Sequence, residues 1–311
     1  MERLSIKTKN QPIIPSQDTE LAILNKRLQI SKAITEGIGT LAIIGPCALD
    51  NREELLLNES MQLHKLQEQT GIITISRRAF WKPRSSEDSW KGLETTDPHD
   101  SYRLVLNNAQ NYANNSAEIG HFEHIQKYGP LLNFGWFGAR NKNPGFKQLV
   151  ADWDHSLSLG IKNDLDGTID DALHEIDDIN TTRQQIENSG KAILIYRGGD
   201  NAQDPDSWTK NYLEALEQTN GKLIVDTAHG AEMAFHPDGV FKKSVTGQQA
   251  SLNRVLELAE NGAMPLGIMM EASDITETSD ERRVDPNMPF HIAIRALERL
   301  SAITKPISIK Q

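Results

Sequence analysis

Short apolar, β-rich runs alternate along most of the chain with longer stretches in which apolar residues recur every three or four positions. The runs fall at 41–45 (LAIIG), 72–76 (IITIS), roughly 117–122 (AEIGHF), 132–138 (LNFGWFG), 159–162 (LGIK), 192–196 (AILIY), 223–226 (LIVD) and 266–270 (LGIMM). Helical periodicity covers 52–70, 168–189, 207–219, 251–262 and 289–304, the last opening on Pro289, where a missing N–H costs nothing. Strands that are apolar on both faces and separated by helices predict an α/β fold, a closed parallel (β/α)8 TIM barrel. An open doubly wound sheet is the alternative, but it usually carries a glycine-rich phosphate turn after its first strand. Gly45-Pro46-Cys47 is not such a turn. Ahead of the barrel, 1–16 reads as an extended arm and 19–37 as a helix ending in glycine. The expected division is therefore an arm and helix over 1–38 and a barrel over 39–311.

Composition narrows the function. A chain of 311 residues suits one α/β barrel, and its net charge of −10 argues against general nucleic-acid binding. A lone cysteine excludes an internal disulfide and fits a reducing compartment. No run has the length of a signal-peptide core or a membrane span, so the expected location is cytoplasmic, with no membrane partner.

In a βα barrel the active site lies at the carboxyl ends of the strands. The residues at or just past those ends are Cys47, Arg77 with Lys82, Glu118 or His121, Arg140, Lys162, Arg197, His229 and Glu271. They divide into two chemistries. Arg77, Lys82, Arg140, Lys162 and Arg197 are cations that would repel one another in a small cavity unless a multiply charged anion joined them. A molecule carrying both phosphate and carboxylate fits that need. The stretch 72–92, IITISRRAFWKPRSSEDSWKG, concentrates such cations after one strand, although a solvated charged loop would have the same composition. Cys47, His229 and Glu271 offer a thiolate, an imidazole and a carboxylate, a donor set for one divalent ion, with a further carboxylate available from 274–285. Taken alone, a cysteine after a strand also reads as a small buried residue.

With these residues assembled, the chain resembles the class I, metal-dependent 3-deoxy-D-arabino-heptulosonate 7-phosphate (DAHP) synthases. The resemblance runs from about 20 to 304 through ordered words: IIGPCALD (43–50), KPRSSEDSWKG (82–92), GAR (138–140), GIKNDLDGTI (160–169), ILIYRGGD (193–200), IVDTAHG (224–230) and GIMMEAS (267–273). It implies a barrel with an N-terminal extension. It implies that Arg77, Lys82, Arg140, Lys162 and Arg197 hold phosphoenolpyruvate, with Gly138 and Ala139 beside its phosphate. Arg84 and Ser85 match the pair that receives the aldose phosphate, serine standing where the family has threonine. Cys47, His229 and Glu271 match three ligands of one divalent metal (Mn, Fe, Co or Zn). The fourth, an aspartate, is Asp280 by preference and Asp285 as the alternative.

The implied reaction is condensation of phosphoenolpyruvate with an aldose phosphate, erythrose 4-phosphate foremost, with release of phosphate; it is the first step of the shikimate route to aromatic amino acids, or its counterpart in a specialised-metabolite paralogue. Carbon 3 of phosphoenolpyruvate attacks the aldehyde, water adds at carbon 2, and Lys82 is the candidate general acid, so Lys82, Cys47 and His229 form the implied catalytic set. Homo-oligomers are expected. Several words depart from the family: Asn141-Lys142-Asn143-Pro144 replaces two threonines and a glutamate, Ala48-Leu49-Asp50 replaces a Ser-Ile-His run, and Gly230-Ala231-Glu232 replaces Ala-Asn-Ser. By the resemblance most of these touch the aldose-facing side or its supports, so the acceptor sugar is the part most open to change. Three rival readings stand beside the synthase: the same chemistry on another aldose, a metal-free aldolase using Lys162 as a Schiff base, and a non-catalytic sensor of a phosphorylated metabolite. Arg197 or Arg140 could instead pair with Asp166 or Asp226.

Overall fold

The structure, a computed structural model, describes residues 17–37, 39–46, 53–76, 116–118, 136–140, 155–274 and 287–304. Its strands are β1 (Leu41–Gly45), β2 (Ile73–Ser76), β3 (Ser116–Glu118), β4 (Trp136–Arg140), β5 (Ser158–Lys162), β6 (Ala192–Tyr196), β7 (Leu223–Asp226) and β8 (Gly267–Glu271). They form one parallel sheet in the order β2-β1-β8-β7-β6-β5-β4-β3. The decisive pairing joins the first strand to the last, in register from Leu41↔Gly267 to Gly45↔Glu271. A doubly wound sheet would leave those two strands apart, whereas a barrel brings them together. Every neighbouring pair of a closed barrel except β2–β3 is formed among the described residues.

Side chains alternate across each strand, and both faces are apolar because both are covered. Leu41, Ile43, Ile75, Trp136, Ile193, Ile195, Ile224 and Met269 pack together as the barrel interior. Gly160 makes room for it: a Cβ there would stand 2.3 Å from Ile195 Cδ1 and 2.5 Å from the Trp136 ring. The opposite parity (Ala42, Ile44, Leu159, Ile161, Leu194, Tyr196, Val225, Ile268 and Met270) packs against the surrounding helices. Those helices are α2 (Glu53–Thr70), α3 (Asp170–Thr182), α4 (Pro205–Gln218), the single-turn α5 (Gly230–Ala234), α6 (Val245–Glu260) and α7 (Phe290–Thr304).

The N-terminal helix α1 (Gln17–Glu36) closes one end of the barrel. Its Ile30, Ala33 and Ile34 join the interior cluster. Around them Arg27 Nη1 donates to Ser156 Oγ at 3.0 Å, and Ser31 Oγ donates to the Ser189 carbonyl at 2.8 Å. Lys222 Nζ donates to the Thr35 carbonyl at 3.1 Å. Ser156, Ser189 and Lys222 all precede strands, so α1 covers the amino-terminal mouth and leaves the carboxyl mouth for chemistry.

Two helices differ from the sequence reading for local reasons. The segment expected to be helical over 168–189 ends at Thr182, because Arg183 turns inward and donates to the carbonyls of Leu157 (2.7 Å) and Gly190 (3.1 Å). The helix expected from 251 starts at Val245, where Ser244 Oγ accepts from Gly247 N at 2.9 Å as an N-cap.

Candidate functional site at the carboxyl mouth of the barrel

Strand parity carries the interior face upward into polar residues. Lys162 lies two positions beyond Gly160, Arg197 two beyond Ile195, Asp226 two beyond Ile224, and Glu271 two beyond Met269. Each therefore stands one step above the apolar interior on the inner side of its strand. Lys162, Arg197, Asp226, His229 and Glu271 are all buried, Asp226 and Glu271 completely. The backbone of Arg140 is in register with Lys162, and that of Gly138 with Gly160, so the GAR word ends level with the lysine.

His229 follows β7 by three residues and takes φ 59°, a left-handed conformation that a non-glycine residue rarely adopts. A carboxylate fixes this turn. Asp226 Oδ1 accepts from Ala228 N at 3.0 Å, while Asp226 Oδ2 stands 2.9 Å from His229 Nδ1. The contact is a close ion-pair approach rather than an aligned hydrogen bond, and a proton assigned to Nδ1, on the carboxylate side of the ring, leaves the lone pair on Nε2. Nε2 in turn lies 3.6 Å from Glu271 Oε1. That is long for a hydrogen bond, but two ligands on one tetrahedral ion with bonds near 2.1 Å would be about 3.4 Å apart. The imidazole–carboxylate pair thus fits a shared divalent ion.

The third and fourth expected ligands, Cys47 and Asp280 or Asp285, lie outside the described residues, as do Arg77, Lys82, Arg84, Ser85 and His121. Accordingly, no group of three metal-ligating side chains is gathered among the described residues. Backbone geometry still places their attachment points. Ala272 N donates to the Gly45 carbonyl at 3.0 Å, beside Glu271 and two residues before Cys47. Met288 N donates to the Glu271 carbonyl at 2.9 Å and Ser273 N to the Met288 carbonyl at 3.0 Å. The segment 275–286 therefore has both of its attachment points close to Glu271.

Sequence reasoning missed Glu59 and Asn163, which hold this rim in place together with Asp166. Glu59 of α2 is buried, and its Oε1 accepts from Ser273 Oγ at 2.8 Å and Asp274 N at 2.7 Å, pinning the chain after β8. Asp166 Oδ1 accepts from Thr168 N at 3.0 Å and Thr168 Oγ1 at 2.7 Å, shaping the loop after β5. Asn163, buried between β5 and β6, bonds three backbone groups. Behind β6, Trp208 stacks on Tyr212 at 5.3 Å and meets Phe235 edge-on. A polar residue one position past a strand, within NDLDG, was the available signal for Asn163; Glu59 gave none, because its partners are more than two hundred residues away.

Comparison with known proteins agrees with this architecture. The sequence profile of the DAHP synthetase I family matches residues 20–285. The chain belongs to the DAHP synthetase I family. A curated relative, phospho-2-dehydro-3-deoxyheptonate aldolase AMT16 of Alternaria alternata, is 24% identical over 264 residues, covering 75% of this chain and 67% of the relative. Among solved structures, phospho-2-dehydro-3-deoxyheptonate aldolase from Francisella tularensis SCHU S4 superposes with a TM-score of 0.71 at 15% identity, over 96% of this chain and 98% of the other. A truncated 3-deoxy-D-arabino-heptulosonate 7-phosphate synthase from Thermotoga maritima gives 0.53 at 14% identity, over 86% and 88%. At such identities the structural matches establish the fold, a (β/α)8 barrel. The family assignment rests on the profile. No helix among the described residues is long and apolar enough to cross a membrane.

Proposed function

We propose that this DAHP synthetase I family protein condenses phosphoenolpyruvate with an aldose phosphate, erythrose 4-phosphate first among candidates, and releases inorganic phosphate. The observation that carries the reading is the succession Lys162, Arg197, His229 and Glu271 at the mouths of β5, β6, β7 and β8, two cations beside an imidazole and a carboxylate. Phosphoenolpyruvate offers the polyanion that the cations need, and the aldehyde offers an oxygen for the other pair.

In the proposed site Arg77, Lys82, Arg140, Lys162 and Arg197 hold phosphoenolpyruvate, and the backbone of Gly138 and Ala139 faces its phosphate. These cations neutralise charge as it moves onto the departing phosphate. Arg84 and Ser85 receive the phosphate of the acceptor. Cys47, His229, Glu271 and Asp280 (or Asp285) would hold one divalent ion, which supplies Lewis-acid polarisation of the aldehyde oxygen. Asp226 orients His229 so that Nε2 faces that position. Lys82 delivers the proton to the aldehyde oxygen as the new carbon–carbon bond forms. A homo-oligomer in the cytoplasm, acting at the head of aromatic biosynthesis, completes the proposal.

Incubation with Mn²⁺, phosphoenolpyruvate and a panel of short-chain aldose phosphates tests it. Loss of the enol ultraviolet absorbance with one acceptor, abolished by EDTA and by Cys47→Ala, is the expected result. Turnover with a sugar other than erythrose 4-phosphate would trace to the altered acceptor side, Asn141 to Pro144 in particular. Activity that survives EDTA and is trapped by borohydride would move the chemistry to Lys162, and tight binding without turnover would identify a sensor.

A further inference from the structure

Between β5 and β6 the backbone ladder runs in the regular parallel alternation, from Leu159 N to the Lys191 carbonyl at 2.9 Å up to Asn163 N to the Ile195 carbonyl at 3.3 Å. The next bond in that series would run from Arg197 N to the Asn163 carbonyl. A side chain takes its place: Arg197 N donates to Asn163 Oδ1 at 2.7 Å. The same amide donates from Nδ2 to the Gly198 carbonyl at 3.0 Å and to the Asp164 carbonyl at 3.0 Å. The main chain at Asn163 can thus turn away into the loop after β5 while the amide continues the ladder on its behalf.

Arg197-Gly198 is confined from the other side as well. A Cβ on Gly198, whose φ is +69°, would lie 2.7 Å from Trp208 Nε1, and one on Gly230 would lie 2.7 Å from the Arg197 carbonyl. A Cβ on Gly199 would meet the backbone of Gly167 at 2.1 Å. The backbone bearing Arg197 is therefore held between the Asn163 amide and a wall formed by Trp208 and Gly230. Asn163 is also the immediate neighbour of Lys162, so one buried amide sets the position of a cation on each of two adjacent strands.

We infer that Asn163 is a positioning residue for the anion subsite, fixing Arg197 relative to Lys162 so that both engage the phosphate or carboxylate of phosphoenolpyruvate. The inference rests on the proposed function and adds a residue that touches no substrate. Only an amide meets the demand, because one end must accept and the other must donate. Aspartate keeps the acceptor for Arg197 N but turns a second oxygen toward two carbonyls, and alanine leaves a buried N–H and two buried carbonyls without this partner.

The test uses the full chain with Mn²⁺ and compares wild type, Asn163→Asp and Asn163→Ala. Phosphoenolpyruvate affinity is measured by calorimetry, KM for each substrate by turnover, and folding by thermal midpoint. Misplacement of a binding cation by a fraction of an ångström to an ångström predicts a loss of about ten- to hundred-fold in phosphoenolpyruvate affinity. KM for the acceptor should stay within about two-fold of wild type, a split that general destabilisation would not produce. Asn163→Asp, nearly isosteric, carries the test if Asn163→Ala does not fold. Equal phosphoenolpyruvate affinity in wild type and a folded variant overturns the inference while leaving the proposed function intact, as does a parallel rise in both KM values. Wild-type protein that binds no phosphoenolpyruvate overturns the proposed function and this inference with it.

Discussion

Replacing Lys26 with methionine tests how the N-terminal helix is held against the barrel. Lys26 lies on the inner side of α1, 6% exposed, and its Nζ donates to Gln67 Oε1 and to the Thr74 carbonyl, the latter at 2.9 Å. Burial strips water from the amine and lowers its pKa from 10.5 to about 7. Between those values the unfolded chain binds a proton that the folded chain does not, so stability rises with pH across the window. Below pH 7 both states are protonated and the slope from this group vanishes. A shift of this size corresponds to a ceiling of about 4–5 kcal/mol against folding at and below pH 7. Methionine removes that cost but forfeits two hydrogen bonds worth roughly 1 kcal/mol each. Gln67 Oε1 keeps Thr74 N as a donor at 3.1 Å, so the pocket is not stripped of polar partners. Lys26→Met should therefore exceed wild type by about 2–3 kcal/mol at pH 7, with the two curves crossing near about pH 9. Urea unfolding of both proteins from pH 6 to 10.5, read by far-ultraviolet circular dichroism, measures the difference. A difference that stays constant between pH 7 and 10 would refute the reasoning.

Other expectations follow from the same geometry. Gly160→Ala places a methyl against Ile195 and Trp136 in the barrel interior and should cost about 1–3 kcal/mol or more, seen as a lower thermal midpoint; an unchanged midpoint would mean the interior yields freely. Asp226→Asn weakens the hold on His229 Nδ1 and should reduce Mn²⁺ affinity about 10–100-fold, measured by titration of the free ion. Mn²⁺ should raise the thermal midpoint of wild type but not of Glu271→Gln, since an ion that binds only the folded state stabilises it; equal rises in both would remove Glu271 from the metal site. Burial holds the phenols of Tyr196 and Tyr212 above the ordinary tyrosine range, and the nearby Glu214 charge adds to the effect at Tyr196. Alkaline titration at the tyrosinate band should show two groups ionising later than the rest.

The barrel was legible because its strands are short, apolar on both faces and separated by helical lengths. The reading placed Leu41–Gly45, Ala192–Tyr196 and Leu223–Asp226 at their observed bounds. Other bounds shifted. Of the run expected at 132–138 only 136–138 fall among the described residues, and there the ladder with β5 continues to Arg140, two positions past the expected end. At α6 the glycine and β-branched residues of Val245-Thr246-Gly247 hid the first turn. The structure needs that glycine, because a Cβ there would lie 2.1 Å from the Glu232 carbonyl.

The site divides along a different line. The residues proposed to act on ligands sit where strand parity puts them, so Lys162, Arg197 and Glu271 could be picked out from position alone. Those that hold them do not obey a period: Asn163 works by leaving the strand, Asp226 by reaching three residues forward, and Glu59 by spanning the distance from α2 to the end of β8. The choice between Asp280 and Asp285 belongs to this second kind. Met288 is tied to Glu271 by a backbone bond of 2.9 Å, and Asp285 precedes it by three residues, which the chain can span only to about 11 Å between Cα atoms. Asp280 is six residues past Asp274, a reach of about 20–22 Å, so its approach to Glu271 is permitted by the chain but not enforced by it. Asp280 retains the preference drawn from the family pattern, and connectivity argues the other way. Mn²⁺ affinity of Asp280→Asn and Asp285→Asn separates the two arguments, since the true ligand loses the ion and the other aspartate keeps it.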